Sequence, residues 1–163
     1  MIFNAFQLAY VTPDIDGALA FAHARFGIAQ FQVNRNVPIE TRSGLAHCHF
    51  AIAFIGQTQI ELIQPAGGAD AVYRDGLPSG GQLRLHHVGV LIGDAFGWAR
   101  QKADIAAAGL DTPVAGDFAG MMHYLYADSR AELGHYTEYM YQTEAGAGLF
   151  DAVPRYPALA GSH

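Results

Sequence analysis

Features that secreted and membrane-spanning proteins need are scarce in this chain. Cys48 is the only cysteine among 163 residues, so an internal disulfide cannot form. No apolar run reaches the length that crosses a bilayer. The segment 1–7 lacks a basic region and a small-residue cleavage site, so it predicts a strand and not a signal peptide. These absences favour a soluble, cytoplasmic protein.

Positive charge is also scarce. Nine Lys and Arg stand against fifteen Asp and Glu, for a formal net charge of −6. The basic residues are scattered, so we expect no nucleic-acid partner and no membrane partner. Hydrophobic residues make up 51% and charged residues 15%, an ordinary balance for a folded chain with ample core. The length fits one domain or two small fused repeats.

One spacing occurs twice in the chain. Gln7 is followed seven residues later by Asp14, and His87 is followed seven residues later by Asp94. Each segment predicts a strand that leads into the N-cap of a helix, because Asp side chains accept hydrogen bonds from the first free N–H groups of a helix. The matched spacing indicates two copies of one supersecondary unit.

Each half also ends in a predicted strand that carries one acid among apolar neighbours. These acids are Glu61 and Glu138, which are 77 residues apart, while Gln7 and His87 are 80 residues apart. A buried, unpaired carboxylate is costly, so both acids are candidates for a functional site. Two copies of one unit would contribute two polar groups each, and we expect the four to converge on one metal ion.

Both halves predict the element order β-α-β-β-β. The predicted strands cover 3–11, 30–34, 46–55, 58–64, 85–92, 112–118, 121–127 and 135–142. We place a first module at 1–66, a glycine-rich linker loop at 67–84, a second module at 85–143 and a C-terminal tail, which folds back as a cap, at 144–163. The predicted fold is α+β, with two tandem βαβββ modules that form curved mixed sheets around a cleft and carry their helices outside.

Alternation along the strands assigns side chains to faces. The apolar row of Phe6, Leu8 and Tyr10 belongs under a helix, so Gln7 faces the cleft. The same reasoning predicts that Glu61, His87 and Glu138 also face the cleft. It places His86 on the opposite face, as a structural or interfacial residue. Further candidates for contact with a substrate are His49, His123 and Tyr136, of which His123 is also a second-tier acid–base candidate.

These patterns resemble the vicinal oxygen chelate superfamily, which includes glyoxalases, bleomycin resistance proteins and dioxygenases. The residues that carry the resemblance are Val11-Thr-Pro-Asp14, Ile60-Glu61-Leu62, Leu85-His86-His87-Val88-Gly89-Val90 and Gly134-His-Tyr-Thr-Glu138-Tyr. In that family the first and last strands of each repeat supply metal ligands. The resemblance therefore implies that Gln7, Glu61, His87 and Glu138 bind a divalent ion, with Zn, Ni, Co, Mn and Mg as candidates.

Departures from the family patterns reduce the number of reactions and substrates that we expect for this chain. Gln7 stands where most members have His, which counts against the iron dioxygenases and their two-His, one-carboxylate triad. Glyoxalase I usually has an Arg four residues after its first ligand and commonly an Asn four after its second. Here those positions are Val11 and Pro65. The glutathione hemithioacetal of methylglyoxal is therefore not the favoured substrate, and no coenzyme A site is evident.

The resemblance implies a glyoxalase-like, metal-dependent lyase or isomerase that acts on a small carbonyl or hydroxycarbonyl compound through a metal-stabilised enediolate. Glu138 is the expected base, and Glu61 acts on the opposite face. The alternative is a metal-free, bleomycin-resistance-like protein that binds a small molecule, whereas extradiol ring cleavage is disfavoured. The sequence also leaves open the alternative of a homodimer in which a second chain completes the cleft.

Overall fold

The computed structural model describes residues 5–158. The start of the first predicted strand, 3–4, and the end of the predicted tail, 159–163, lie outside the described residues. The first module consists of β1 (Ala5–Val11), α1 (Ile15–Phe26), β2 (Gln32–Thr41), β3 (Gly44–Ile55) and β4 (Thr58–Gly68). A short helix, α2 (Ala71–Arg74), follows it.

The second half repeats this order. It consists of β5 (Arg84–Ile92), α3 (Ala95–Ala107), β6 (Val114–Phe118), β7 (Met122–Ala127), the short helix α4 (Arg130–Leu133) and β8 (Tyr136–Gln142). A 3-10 turn (Glu144–Gly146) and β9 (Arg155–Tyr156) complete the described chain. The predicted β-α-β-β-β order is confirmed in both halves, although β2 is considerably longer than predicted.

The strands form one curved, mixed sheet. Its order is β2-β6-β7-β8-β5-β1-β4-β3-β9, and an additional pairing of β2 with β3 closes it. The pairs β1–β4 and β5–β8 are parallel, whereas β1–β5, which joins the modules, is antiparallel. The curved mixed sheets predicted from sequence are thus joined edge to edge, which satisfies the backbone groups that two separate sheets would expose.

The two long helices lie outside the closed sheet and begin at the predicted caps. The side chain of Asp14 accepts from the backbone N–H of Asp16 at 3.1 Å, and that of Asp94 accepts from Gly97 at 2.6 Å. Gly27 ends α1 in the left-handed conformation, at φ 70°, which glycine adopts without steric cost. Within residues 5–158, no helix is both long enough and apolar enough to span a membrane.

Packing divides the core between the inside and the outside of the sheet. The inner cluster fills one end of the closed sheet and includes Ala9, Val11, Ile63, Tyr126 and Tyr136. Outside, Ile15 and Ala18 of α1 pack on Leu62, and Ile105 of α3 packs on Leu125 and Ala127. The odd and even positions of the strands therefore separate into these two environments, as the alternation predicts.

The glycine-rich segment between the modules is anchored at its start. Asp70 accepts hydrogen bonds from Gly67 N–H at 2.9 Å and from Arg74 Nε at 3.0 Å. Tyr73 of α2 is buried, and its hydroxyl lies 3.3 Å from that of Tyr126. Hydrogen bonding to Arg74 is the main reason that the pKa of Asp70 is lowered from its ordinary 3.8. Helix α2 thus closes one end of the sheet.

We predict that Asp70→Asn destabilises the fold by about 1 kcal/mol at pH 7, the usual net value of an intramolecular hydrogen bond, because solvent screens the charge of the half-exposed Arg74. The folded-state pKa of Asp70 lies below its unfolded value, so the stabilisation is present above pH 3.8 and is lost as the pH falls through the lowered pKa. Urea unfolding at pH 7 and at successively lower pH measures this. The exposed Asp75, substituted by Asn, is the matched control, and a difference from wild type that does not vary with pH contradicts the assignment.

Candidate metal and active site

Four polar side chains from both modules converge inside the sheet. His87 Nε2 lies 3.0 Å from Gln7 Oε1, 3.1 Å from Glu138 Oε2 and 3.4 Å from Glu61 Oε2. They come from β8, β5, β1 and β4, which are four consecutive neighbours in the sheet. The structure therefore brings together all four of the residues that the sequence placed at one site, and it does so within a single chain.

Gly89 permits the close approach of β1 and β5 at this site. It is the register partner of Gln7 in the antiparallel pair. A Cβ atom built at Gly89 would lie 2.8 Å from Gln7 Oε1 and 2.7 Å from Met140 Cε, and real Cβ atoms do not approach heavy atoms so closely. The missing side chain is what lets the Gln7 amide lie across β5 beside His87.

Three of the four converging side chains are ionisable groups that lie buried inside the sheet. His87 is fully buried, and the side chains of Glu138 and Glu61 are only 9% and 13% exposed. Burial by itself lowers the pKa of His87, but Glu138 and Glu61 outweigh it and raise that pKa to about 9. Burial raises the pKa of Glu61, although His87 opposes this. Each of the two acids, when ionised, thus needs a positive partner inside the sheet, either an imidazolium or a metal ion.

The donor set fits a divalent cation. One imidazole nitrogen, two carboxylates and one amide oxygen are ligands that Zn and the harder ions accept. The N···O separations of 3.0–3.4 Å match the spacing of ligands that each lie about 2.1 Å from a shared ion. Within residues 5–158, however, no three His, Cys, Asp or Glu side chains form a ready-made metal cluster. Metal binding by these residues stays a prediction.

His86 sets the orientation of His87. His86 Nε2 lies 2.9 Å from the carbonyl oxygen of Val72, which can only accept, so this nitrogen carries the hydrogen. Burial lowers the pKa of His86 to about 3, so its Nδ1 is unprotonated and accepts from His87 Nδ1–H at 2.9 Å. The other nitrogen of His87, Nε2, therefore faces the site.

This position corrects the prediction that His86 points to the opposite face from His87. The register with β1 pairs Ala9 with His87 and Tyr10 with Leu85, so His86 is the extra residue of a β-bulge. A bulge breaks the alternation of side chains, and two consecutive histidines turn inward. His86 is only 4% exposed.

A cavity of about 230 Å³ adjoins the four residues. Gln7, Glu61 and Glu138 form its polar end, while most of the remaining wall is apolar or aromatic, including Val37, Ile39, Phe50, Ile52, Met122 and Met140. A wider, open depression of about 520 Å³ on the outside of the second module contains none of the four residues. A concave space with a few converging polar groups on an apolar wall is typical of a ligand site.

The C-terminal tail covers this cavity. Leu149 and Phe150 contribute to its wall, and the Phe150 ring lies 5.8 Å from that of Phe6 and 6.1 Å from that of Phe54. Strand β9 pairs with β3 and holds the tail in place. The tail folds back over the described part of the first module, as predicted.

Gln59 is a site residue that sequence reasoning missed. Its Oε1 accepts from Gln7 Nε2 at 2.7 Å, which turns Gln7 Oε1 toward His87. Gln59 is 1% exposed and lies on β4 two residues before Glu61, on the same face. That spacing was a usable signal, because residues i and i+2 of a strand share a face.

His49 does not lie in the cavity, contrary to the prediction. Phe50 and Ile52 of the same strand line it, so His49 points to the outer face. There its Nδ1 accepts from the backbone N–H of Asn36 at 2.9 Å. The prediction failed because β3 carries apolar residues on both faces, so composition did not identify the inner one.

His123 is also outside the cavity. The residues of β7 that face inward are Met122 and Tyr124. His123 lies on the outer face, where its ring packs beside those of Trp98 and Tyr141 and its Nδ1 lies 2.8 Å from Asp117 Oδ2. The prediction assigned the wrong face of β7 to the interior. An acid–base role for His123 at this cavity is therefore not supported.

Tyr136 shares the inner face with Glu138 but lies in the packed core and not along the cavity. It is 5% exposed. Its ring centroid is 5.0 Å from that of His86, and the Arg130 guanidinium lies 4.5 Å above the ring. The Tyr136 ring thus packs against that of His86. Contact between Tyr136 and a substrate, as predicted, is not supported.

Comparison with known proteins agrees with the predicted resemblance. Residues 6–120 match the family described as the Glyoxalase/Bleomycin resistance protein/Dioxygenase superfamily. A search of curated protein sequences gives no match.

Solved structures share the fold at low sequence identity. A variant of Streptomyces coelicolor methylmalonyl-CoA epimerase with 2-nitronate-propionyl-CoA is 15% identical, with a TM-score of 0.61 over 88% of this chain and 99% of that one. A methylmalonyl-CoA epimerase with methylmalonyl-CoA and NH4+ is 16% identical, with a TM-score of 0.60 over 89% and 98%. The epimerase of Mycobacterium tuberculosis is 12% identical, with a TM-score of 0.54 over 91% and 97%. At such identities the likeness establishes the fold alone.

We predict that Gly89→Ala displaces Gln7 and destabilises the fold by about 1–3 kcal/mol, the usual cost of overpacking. Gly93→Ala is the matched control, because a Cβ there meets no heavy atom within 4 Å. Urea unfolding measures stability, and elemental analysis measures bound metal per chain. Equal stability of the two variants contradicts the close-packing role of Gly89.

We predict that His86→Leu weakens divalent metal binding about 10–100-fold, the usual effect of removing a residue that orients a metal ligand. The Leu side chain fills similar space but offers His87 Nδ1–H no acceptor. Titration of Zn into the purified variant measures the affinity, with the exposed His23, changed to Leu, as control. Unchanged affinity in His86→Leu excludes the orienting role.

Proposed function

The chain belongs to the Glyoxalase/Bleomycin resistance protein/Dioxygenase superfamily, and we propose that it is a metal-dependent lyase or isomerase that acts on a small carbonyl or hydroxycarbonyl compound. The observation that carries this proposal is the pair of buried carboxylates on either side of His87, at the polar end of an otherwise largely apolar cavity. Such an arrangement suits proton transfer next to a carbonyl group.

The residues that would hold the metal are His87, Glu61, Glu138 and Gln7. When bound, a divalent ion supplies Lewis acidity, which lowers the energy of the enediolate that forms when a carbon next to a carbonyl loses a proton. The contacts of Gln59 with Gln7 and of His86 with His87 keep two of these side chains in place. The protein's contribution is to orient the ligands and to exclude water.

Glu138 is the proposed base, and Glu61 is the group that returns the proton. Both line the cavity. Glu138 lies on β8 and Glu61 on β4, with β5 and β1 between them, so the two carboxylates approach a bound substrate from different sides. Glu138 takes the proton from carbon, and Glu61, which enters the step as the neutral acid, delivers its proton from the opposite side, which is the requirement for epimerisation.

The cavity favours a compact substrate. Its volume of about 230 Å³ lies below the range of about 300–1,000 Å³ usual for drug-sized ligands. Among the described residues that line it there is no Lys or Arg to pair with a phosphate or a carboxylate. The coenzyme A thioesters bound in the similar structures are thus less well matched to this chain than a small hydroxycarbonyl compound.

A metal-free binding protein is the second candidate. It is favoured by the raised pKa of His87, because an imidazolium can neutralise one of the two carboxylates without a metal ion. In that case the apolar wall of the cavity supplies most of the affinity for a small molecule, and no proton transfer takes place.

Elemental analysis of protein purified without added metal or chelating resin is the first test, and we expect about one divalent ion per chain. Turnover is then measured by NMR, as deuterium exchange from solvent into 2-oxoaldehyde adducts, 2-hydroxyketones and acyl thioesters. Wild-type protein that binds no divalent ion and exchanges none of these compounds supports the binding protein and contradicts the enzyme.

We predict that Glu138→Gln loses about 10²–10⁴-fold in exchange rate, the usual contribution of a general base. His87→Ala instead loses metal first, and activity as a consequence. Glu132→Gln, an exposed position on α4, is the matched control and retains wild-type rates. A Glu138→Gln protein that keeps full exchange activity excludes Glu138 as the base.

A further inference from the structure

Two buried polar atoms in the described part of the chain have no hydrogen-bond partner. They are Gln59 Nε2 and Gln32 Oε1. Both residues line the cavity beside the candidate site. A buried donor or acceptor without a partner is costly to a fold, so each such group calls for an explanation.

The environment of Gln59 explains why its amide nitrogen stays unpaired. Gln59 Oε1 is engaged by Gln7 Nε2 at 2.7 Å, and an exchange of the two amide atoms would set donor against donor. The side chain is 1% exposed, so solvent does not compensate the N–H groups. The amide nitrogen of this cavity-lining residue thus has neither a protein partner nor solvent to bond with.

Gln32 supplies the complementary atom on the same wall. It pairs with Ile52 in the β2–β3 register, and Ile52 pairs with Glu61 in the β3–β4 register, so the three lie in one row across the sheet. Gln59 lies two residues from Glu61 along β4. Gln59 is therefore the neighbour of Glu61 along β4, and Gln32 lies two strands from Glu61 in the same row.

Charge restricts what these amides can bind. The two carboxylates are the charged side chains among the cavity-lining residues, and the surrounding wall is apolar. A second anionic group on the substrate would meet no cation there, and its burial would be unfavourable. A neutral group that carries both an acceptor and a donor satisfies Gln59 Nε2 and Gln32 Oε1 together.

We propose that Gln59 and Gln32 form a specificity subsite that binds a neutral hydroxyl or primary carboxamide group of the substrate, at a distance from its reacting carbonyl. This inference rests on the proposed function, since it assumes that the reacting end of the substrate lies at the four converging residues. It narrows the substrate class to uncharged hydroxycarbonyl or oxo-amide compounds with a second polar group.

The test uses two hydroxamates of the same shape, which chelate metal through two neighbouring oxygens. One is 3-carbamoylpropanohydroxamate, and the other is 4-methylpentanohydroxamate, in which an isopropyl group replaces the carboxamide. Calorimetric titration into metal-loaded wild-type protein is expected to show binding of the carboxamide about tenfold tighter, because the apolar probe leaves both amides unpaired.

Variants assign that preference to the two glutamines. Gln32→Leu, which leaves the four converging residues untouched, and Gln59→Leu are both expected to abolish the tenfold difference. Gln57→Leu, an exposed glutamine in the turn between β3 and β4, is the matched control and keeps it. Bound metal per chain is measured for each variant, so that an effect of Gln59 through Gln7 is recognised.

The outcomes separate this inference from the proposed function. The subsite is contradicted if wild type binds the two hydroxamates with equal affinity, or if the preference for the carboxamide survives in Gln32→Leu. In either case, metal-dependent binding of both probes leaves the proposed function standing. Failure of metal-loaded protein to bind either hydroxamate contradicts the proposed function and the subsite with it.

Discussion

The burial of two carboxylates around one histidine is the constraint on which the site depends. Glu61 and Glu138 lie inside a closed sheet, and their charges are tolerable there only because His87, or an ion bound beside it, carries positive charge. The hydrogen bond from His87 to His86, the bond from Gln7 to Gln59 and the open space at Gly89 all serve to hold this group together.

The fold brings these groups together by joining its two modules side by side. The first strands of the modules, β1 and β5, are neighbours, and each is flanked by the last strand of its own module, β4 or β8. One polar residue per strand then suffices to build a four-residue site. The tail and α2 close the sheet on different sides, with Phe150 at the cavity and Tyr73 in the inner core.

The cavity combines an acidic end with an apolar wall, and this combination separates the candidate functions. Proton transfer needs the carboxylates at the substrate's reacting carbon, whereas a binding protein needs mainly the apolar wall. The unpaired amide atoms of Gln59 and Gln32 belong to residues that line the same cavity. They favour a ligand with two polar groups over a purely apolar one.

Local patterns in the sequence were enough to predict the repeat, the helix caps at Asp14 and Asp94, and the inward direction of Gln7, Glu61, His87 and Glu138. These features follow from local rules, since a cap and a two-residue alternation need no knowledge of distant strands. The inward direction of His86 and the outward direction of His49 and His123 became clear only from the folded chain. A β-bulge and the choice of inner face depend on the register with a partner strand, and that register is set when the closed sheet packs around its core.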